Sequence, residues 1–181
     1  LRSADHILFV AALTAAYSPR EWVRIAWLVT AFTLGHTVSL ALATFNVVHV
    51  PARAVEIAIA ATIVITAVVA IHDQHRKASS TPSFGSRYAV AGAFGLIHGL
   101  GFSNYLRALL GGEGDLVVPL FAFNVGLELG QLLIVATVFA AGVAVERWLR
   151  WPRRDWVLVL SGATVGVGLS MLITRVLDAG A

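Results

Sequence analysis

Cysteine is absent from this chain of 181 residues, which excludes disulfide bonds, iron–sulfur clusters and thiolate metal sites. Methionine occurs once, as Met171, so a series of thioether ligands for Cu(I) is disfavoured. Charged residues make up only 13% of the chain, whereas a soluble domain carries about 25%. This shortage of charge excludes a soluble core domain and indicates a chain that lies in lipid.

Apolar residues are abundant at 58%, and they fall into six stretches. A membrane-spanning helix uses about 20 residues, so six spans with short loops occupy nearly the whole chain. The sequence therefore predicts one all-α domain over residues 1–181, a polytopic transmembrane bundle of about six spans. The predicted spans are 4–17, 22–45, 54–71, 88–110, 118–145 and 156–177.

The distribution of Lys and Arg between the loops predicts the orientation. Nine of the 13 basic residues fall on one side of the predicted bundle and four on the other. By the positive-inside rule the side with nine is cytoplasmic, which places both termini on the opposite side of a cell inner (plasma) membrane. The net charge of +3 is spread over loops without a basic stripe among aromatics, so a nucleic-acid partner is not expected. Because the chain begins at Leu1, we also expect a segment to precede it.

Ionisable residues inside the apolar stretches are the candidates for function. Each costs about 2.5–3.5 kcal/mol at the centre of a spanning helix, so such groups usually face a partner or a polar cavity. With a rise of about 1.5 Å per residue, six of them share one depth between the outer surface and the bilayer centre. These six, on five different helices, are Asp5, His6, His36, Glu56, His98 and Glu128. Imidazole and carboxylate together suit a divalent cation such as Ni²⁺, Co²⁺ or Zn²⁺.

Asn124 and Gln131 follow the same helical stripe as Glu128, and their amides could orient the metal ligands. Small residues four apart allow helices to approach closely. Three such glycine pairs occur, Gly95 with Gly99, Gly126 with Gly130, and Gly162 with Gly166.

Structural explanations exist for the single residues. An isolated intramembrane histidine can serve packing or hydrogen bonding alone, and Glu56 could lie in the headgroup region beside Arg53. Asp5 could simply favour a helix N-terminus. The polar cluster as a whole could also hold helices together without binding a ligand. The common depth of all six groups favours a shared site.

Five sequence blocks resemble the HupE/UreJ family of hydrogenase and urease accessory membrane proteins. The blocks are Asp5–Phe9, Phe32–Thr37, Val55–Ala60, Phe94–Phe102 and Phe123–Gln131. The resemblance implies a nickel or cobalt permease, and it implies that the six ionisable residues above occupy the polar positions of the family's motifs. Two departures lie in the first block, where Ser3 stands in place of the family's usual glycine and a further upstream histidine would precede Leu1.

The leading expectation is therefore a membrane protein that binds and transports a divalent metal ion, with nickel favoured and cobalt, zinc or copper as alternatives. Transport is favoured over catalysis. Two other hypotheses remain open, an intramembrane zinc-dependent hydrolase and a structural or assembly subunit of a larger membrane complex. A homo-oligomer is also possible.

Overall fold

The computed structural model describes residues 2–74, 84–110 and 117–178, and within those ranges the chain forms six α-helices and no strand. The six helices are α1 (Arg2–Ala15), α2 (Trp22–Thr44), α3 (Ala52–Asp73), α4 (Phe84–Leu110), α5 (Val117–Ala144) and α6 (Arg153–Leu177). Each predicted apolar stretch corresponds to one helix, and the observed ends differ from the predicted ones by a few residues. The all-helical fold is thus confirmed.

Proline and two left-handed residues end and restart the helices. Asn46, with φ of 64°, follows α2, and Pro51 then precedes α3. Arg150, with φ of 54°, follows the π-helical turn Val145–Leu149 that extends α5, and Pro152 precedes α6. Proline suits a helix start because the first backbone N–H groups have no partner within the helix. These turns reverse the chain, so successive helices run antiparallel.

The outer surface of the bundle is apolar. On α5 the exposed fractions are 70% for Phe121, 63% for Leu129 and 68% for Leu133, one stripe of large apolar side chains. Among the described residues, four helical segments are long and apolar enough to cross a membrane, namely 19–44, 52–73, 117–149 and 153–177. Exposure of such a surface to water would be unfavourable, whereas exposure to lipid would not. The chain is therefore a multi-pass membrane protein, and the count of six spans and the orientation of the termini stay predictions.

Two helix pairs organise the interior. Helices α2 and α4 lie in direct backbone contact, and α3 packs against α6. Helix α1 packs against α3, α4, α5 and α6, and its residues Phe9, Val10 and Ala12 are almost fully buried. Helix α1 thus lies inside the bundle. The bundle has an Asp5 end, where α1 begins and α6 finishes, and an Arg87 end, where α3 finishes and α4 begins.

Candidate metal-binding site

Three imidazoles from three helices meet inside the bundle. His6 of α1 lies with its ring centroid 5.3 Å from that of His36 on α2 and 4.9 Å from that of His98 on α4. Both contacts are edge-to-face, and all three side chains are buried. We call these three residues the imidazole cluster. Burying three imidazoles costs desolvation free energy. A bundle that is held together by packing alone does not need to bury them.

Glycines bring His36 and His98 together by letting the backbones of α2 and α4 touch. A Cβ atom at Gly95 would lie 2.9 Å from the carbonyl carbon of Phe32, and one at Gly99 would lie 3.0 Å from the carbonyl carbon of His36. Both are shorter than ordinary van der Waals contact. Each glycine lies one turn or less from His98, so the close approach sets the distance between the two helices at the site.

The same sequence pattern elsewhere has no such role. The close approach that the spacing allows does not occur in the described structure at Gly126 and Gly130 or at Gly162 and Gly166, because an added Cβ at each would meet no heavy atom of the described residues within 4 Å. A different glycine, Gly168, faces Ile63 and Val64 in the contact between α3 and α6.

Asn124 on α5 fixes the tautomer of His36. The Asn124 amide nitrogen donates to the carbonyl of Leu120 at 2.8 Å, so its oxygen faces His36 as an acceptor. His36 Nδ1 lies 3.3 Å from that oxygen and therefore carries the proton that it donates. The other nitrogen, Nε2, is then an unprotonated acceptor, and it is buried without a hydrogen-bond partner among the described residues.

Thr62 on α3 does the same for His98 with the opposite nitrogen. The Thr62 hydroxyl donates its single proton to the carbonyl of Ile59 at 2.7 Å. With that proton on the Ile59 carbonyl, the hydroxyl oxygen, 2.9 Å from His98 Nε2, accepts a hydrogen bond from that nitrogen. His98 Nδ1 then carries a free lone pair, and within the part of the chain that the structure describes it is buried without a hydrogen-bond partner.

Carboxylates lie beside the cluster on the side of the Asp5 end. Asp5, Glu56 and His6 line a cavity of about 10 Å³, close to the space of one water molecule. Asp5 is 3% exposed, and its Oδ2 accepts a hydrogen bond from Arg175 of α6 at 2.8 Å. Arg175 also donates to the backbone carbonyl of Glu56 at 2.8 Å. The second oxygen, Asp5 Oδ1, is buried and has no hydrogen-bond partner in residues 2–74, 84–110 and 117–178.

Phenylalanine rings lie on the other side of the cluster, toward the Arg87 end. The rings of Phe9 and Phe32 stack at 4.7 Å, and each lies within 5.2 Å of the His98 ring. Phe94 contacts Phe9 at 6.0 Å. These three residues form an aromatic barrier that separates the imidazole cluster from the rest of the bundle interior.

A second pair of rings lies toward the Asp5 end. Phe102 is 5.1 Å from His6 and 6.0 Å from His36, and Phe123 is 5.5 Å from Phe102. The imidazole cluster thus has aromatic rings on both sides, and the small cavity lined by Asp5 lies next to it.

The remaining predicted residues lie elsewhere on α5. Glu128 is half-buried and accepts a hydrogen bond from Thr30 at 2.7 Å. Thr30 precedes His36 by six residues, about 9 Å along α2, so Glu128 lies closer to the Arg87 end than the cluster does. Gln131 accepts from Thr33 at 3.0 Å and orients no histidine.

The structure therefore gathers His6, His36 and His98, places Asp5 and Glu56 next to them, and sets Glu128 apart. Among the described residues, no three histidine or carboxylate side chains are already arranged to hold a metal ion. Metal binding would require the edge-to-face rings to turn.

Sequence reasoning missed two kinds of residue at this site. Thr62 looks like an ordinary β-branched residue of an apolar helix, and only its contact with His98 shows its role. Arg175 lies near the end of the predicted span 156–177 and is not among the predicted site residues, yet it binds Asp5. A cation near the end of an apolar helix could have been paired with the acid at the start of α1, since both fall at the same depth.

A comparison with known protein families gives a match over nearly the whole chain. The family model described as HupE / UreJ protein covers residues 1–175 of the chain. A comparison with curated proteins found no match, and a comparison with solved structures found none. Because the family model covers nearly the whole chain, the protein belongs to the HupE/UreJ family.

Proposed function

We propose that the chain binds a divalent transition-metal ion, nickel first, at the imidazole cluster and carries it across the membrane. The HupE/UreJ family is associated with nickel and cobalt uptake for hydrogenase and urease. In this chain the metal is the transported substrate, and Asp5 lies beside the three imidazoles as a source of negative charge.

The observation that carries this proposal is the pair of buried lone pairs on His36 Nε2 and His98 Nδ1. Metal-binding histidines donate their other ring N–H to a neighbouring group, which fixes the tautomer and the ring orientation. Both histidines have that hydrogen bond, through Asn124 and Thr62. An unsatisfied buried polar atom costs about 1–3 kcal/mol, and coordination to a metal would recover that cost.

The donor set supports a borderline metal over a hard one. Imidazole nitrogen suits Ni²⁺, Co²⁺, Cu²⁺ and Zn²⁺, whereas Mg²⁺ and Ca²⁺ prefer sites made of oxygen. Within that group, membership of the family favours nickel and cobalt. Zinc and copper compete for the same ligands, so the geometry of the site must discriminate against them. The site also has few charged groups, so it should bind the metal weakly enough to release it again.

Nickel binding and uptake by the purified protein test the proposal. Isothermal titration calorimetry in detergent should show one site that His98→Ala weakens at least about tenfold, a loss of about 1.4 kcal/mol. Proteoliposomes containing the wild-type chain should accumulate ⁶³Ni²⁺, and those containing His98→Ala should not.

His49→Ala is the matched control. His49 is exposed and bonds to Asn46 in the turn between α2 and α3 at 3.0 Å. It should bind and transport nickel as the wild type does. Equal nickel binding by His98→Ala and His49→Ala would refute the proposal. Tight binding of zinc without uptake of any metal would instead favour a metalloenzyme.

A further inference from the structure

A deep fissure lies between α3 and α4 on the other side of the aromatic barrier. It has a volume of about 250 Å³ and is partly open to the outside. Thr66 and Ala70 of α3 form one wall, Ala91 and Phe94 of α4 form the other, and α1 contributes Phe9 to the floor. Because Phe9 and Phe94 also belong to the aromatic barrier, the fissure begins where the imidazole cluster is closed off.

The fissure is shaped like a wedge. Toward the Asp5 end α3 and α4 touch, since His98 bonds to Thr62 and a Cβ at Gly101 would lie 2.7 Å from Ile59. Toward the Arg87 end the helices diverge and are joined again by one ion pair, Arg87 to Asp73, at 2.8 Å. Opening the wide end therefore requires this half-buried ion pair to break.

Polar groups occur in the fissure almost solely at that wide end. Arg87 donates to Asp73 and, at 3.0 Å, to the hydroxyl of Tyr17. The hydroxyl of Tyr17 carries no charge at physiological pH. Of the described residues that line the fissure, Asp73 is thus the one anion and Arg87 the one cation.

The two ends of the bundle repeat one arrangement. Arg175 holds Asp5 at 2.8 Å beside the imidazole cluster, and Arg87 holds Asp73 at 2.8 Å at the wide end of the fissure. In both pairs the carboxylate is the more buried partner, at 4% and 13% exposed. Each carboxylate is thus neutralised by the guanidinium of an arginine on another helix, and a divalent cation could replace that guanidinium.

We propose that the fissure between α3 and α4 is the exit route of the divalent cation and that Asp73 receives the ion after it passes the aromatic barrier. This inference rests on the proposed transport of nickel. Arg87 stays paired with the Asp73 carboxylate until the metal ion reaches it. Apolar walls hold the ion weakly, which suits a route rather than a site, and a dry apolar constriction can close a path by excluding water.

Engineered cysteines can show whether water enters the fissure, because the natural chain has no cysteine. Ala70→Cys places a thiol in the wall, where the native side chain is 2% exposed. Val68→Cys places one on the other face of α3, where the native side chain is 47% exposed and does not line the fissure. A charged methanethiosulfonate reagent on both sides of proteoliposomes should label Ala70→Cys several-fold faster than Val68→Cys.

The labelling result can overturn the inference in either of two ways. Equal resistance of both variants to the charged reagent would mean that the fissure stays dry or is closed. Reaction of Ala70→Cys with a lipid-soluble maleimide alone would mean that lipid fills the fissure.

Asp73→Asn tests the receiving carboxylate. It should keep wild-type nickel affinity in calorimetry while uptake falls about tenfold, equal to a barrier about 1.4 kcal/mol higher. Asp73→Glu should restore uptake. Asp155→Asn, an exposed acid in the first turn of α6, is the control and should transport normally. Wild-type uptake by Asp73→Asn would overturn the exit route, whereas absence of nickel binding by the wild type would overturn the proposed function itself.

Discussion

Alanine at Gly95 should widen the contact between α2 and α4 and thereby weaken metal binding. The added Cβ would lie 2.9 Å from the Phe32 carbonyl carbon, and ordinary contact begins at 3.4 Å. The helices must therefore separate by at least 0.5 Å, the difference between those two distances, because both groups are rigid backbone. Overpacking of this kind costs about 1–3 kcal/mol, and the better helix propensity of alanine returns up to about 1 kcal/mol of it.

The separation matters for the metal because His36 and His98 lie on the two helices that move apart. Metal–nitrogen bonds are about 2.0–2.1 Å long, and a functional site keeps its distances within about 0.2 Å. A displacement of 0.5 Å exceeds that tolerance. We expect the dissociation constant for nickel to rise about ten- to a hundredfold, or about 1.4–2.8 kcal/mol.

Calorimetry of nickel binding and thermal unfolding in detergent give the two readouts. Gly126→Ala is the matched control, because it has the same chemistry in a helix where the added Cβ meets no heavy atom within 4 Å. It should leave nickel affinity unchanged and keep or slightly raise thermal stability. If Gly95→Ala bound nickel as tightly as Gly126→Ala, the spacing of α2 and α4 would not define the site.

Three other substitutions test the groups around the cluster. Asn124→Leu and Thr62→Val each remove the hydrogen bond that orients one imidazole, so each should lower nickel affinity about ten- to a hundredfold, as calorimetry would show. An unchanged affinity in both would contradict the tautomer assignment. Arg175→Gln leaves the buried Asp5 carboxylate unpaired, which should cost up to about 3–5 kcal/mol of stability without metal. Added nickel should raise the melting temperature of Arg175→Gln by more than it raises that of the wild type. Equal increases in both would count against Asp5 as a metal ligand.

The fold was readable from the sequence because lipid imposes a simple rule. Every spanning segment must be apolar for about 20 residues and must satisfy its own backbone hydrogen bonds, which only a helix does within one segment. Charged and proline-containing turns therefore mark the helix ends, as at Ser18–Pro19, Pro51 and Pro152. The structure has a helix at each of the six predicted stretches.

The site could be predicted only in part from the sequence. The position of a residue along its helix and the side of the helix on which it lies have different sequence signals. Depth follows from the rise per residue, so His6, His36 and His98 could be placed at one level before the structure was known. Direction around a helix needs a polar face, and α5 is apolar on nearly all sides. Glu128 was therefore predicted on the right helix, but it lies against Thr30, toward the Arg87 end, instead of beside a histidine.

The glycine pairs illustrate the same limit. Gly95 with Gly99 and Gly126 with Gly130 have identical spacing, yet only the first pair meets another backbone. The motif permits close packing, and the neighbouring helix decides whether it occurs.

X-ray absorption spectroscopy of the nickel-loaded protein tests the imidazole cluster most directly. The nickel edge should show nitrogen neighbours at imidazole distances, with the outer-ring scattering of histidine. That scattering should decrease in His36→Ala and in His98→Ala and stay unchanged in His49→Ala. A spectrum with oxygen neighbours alone, or one that neither cluster substitution alters, would show that nickel does not bind at the imidazole cluster.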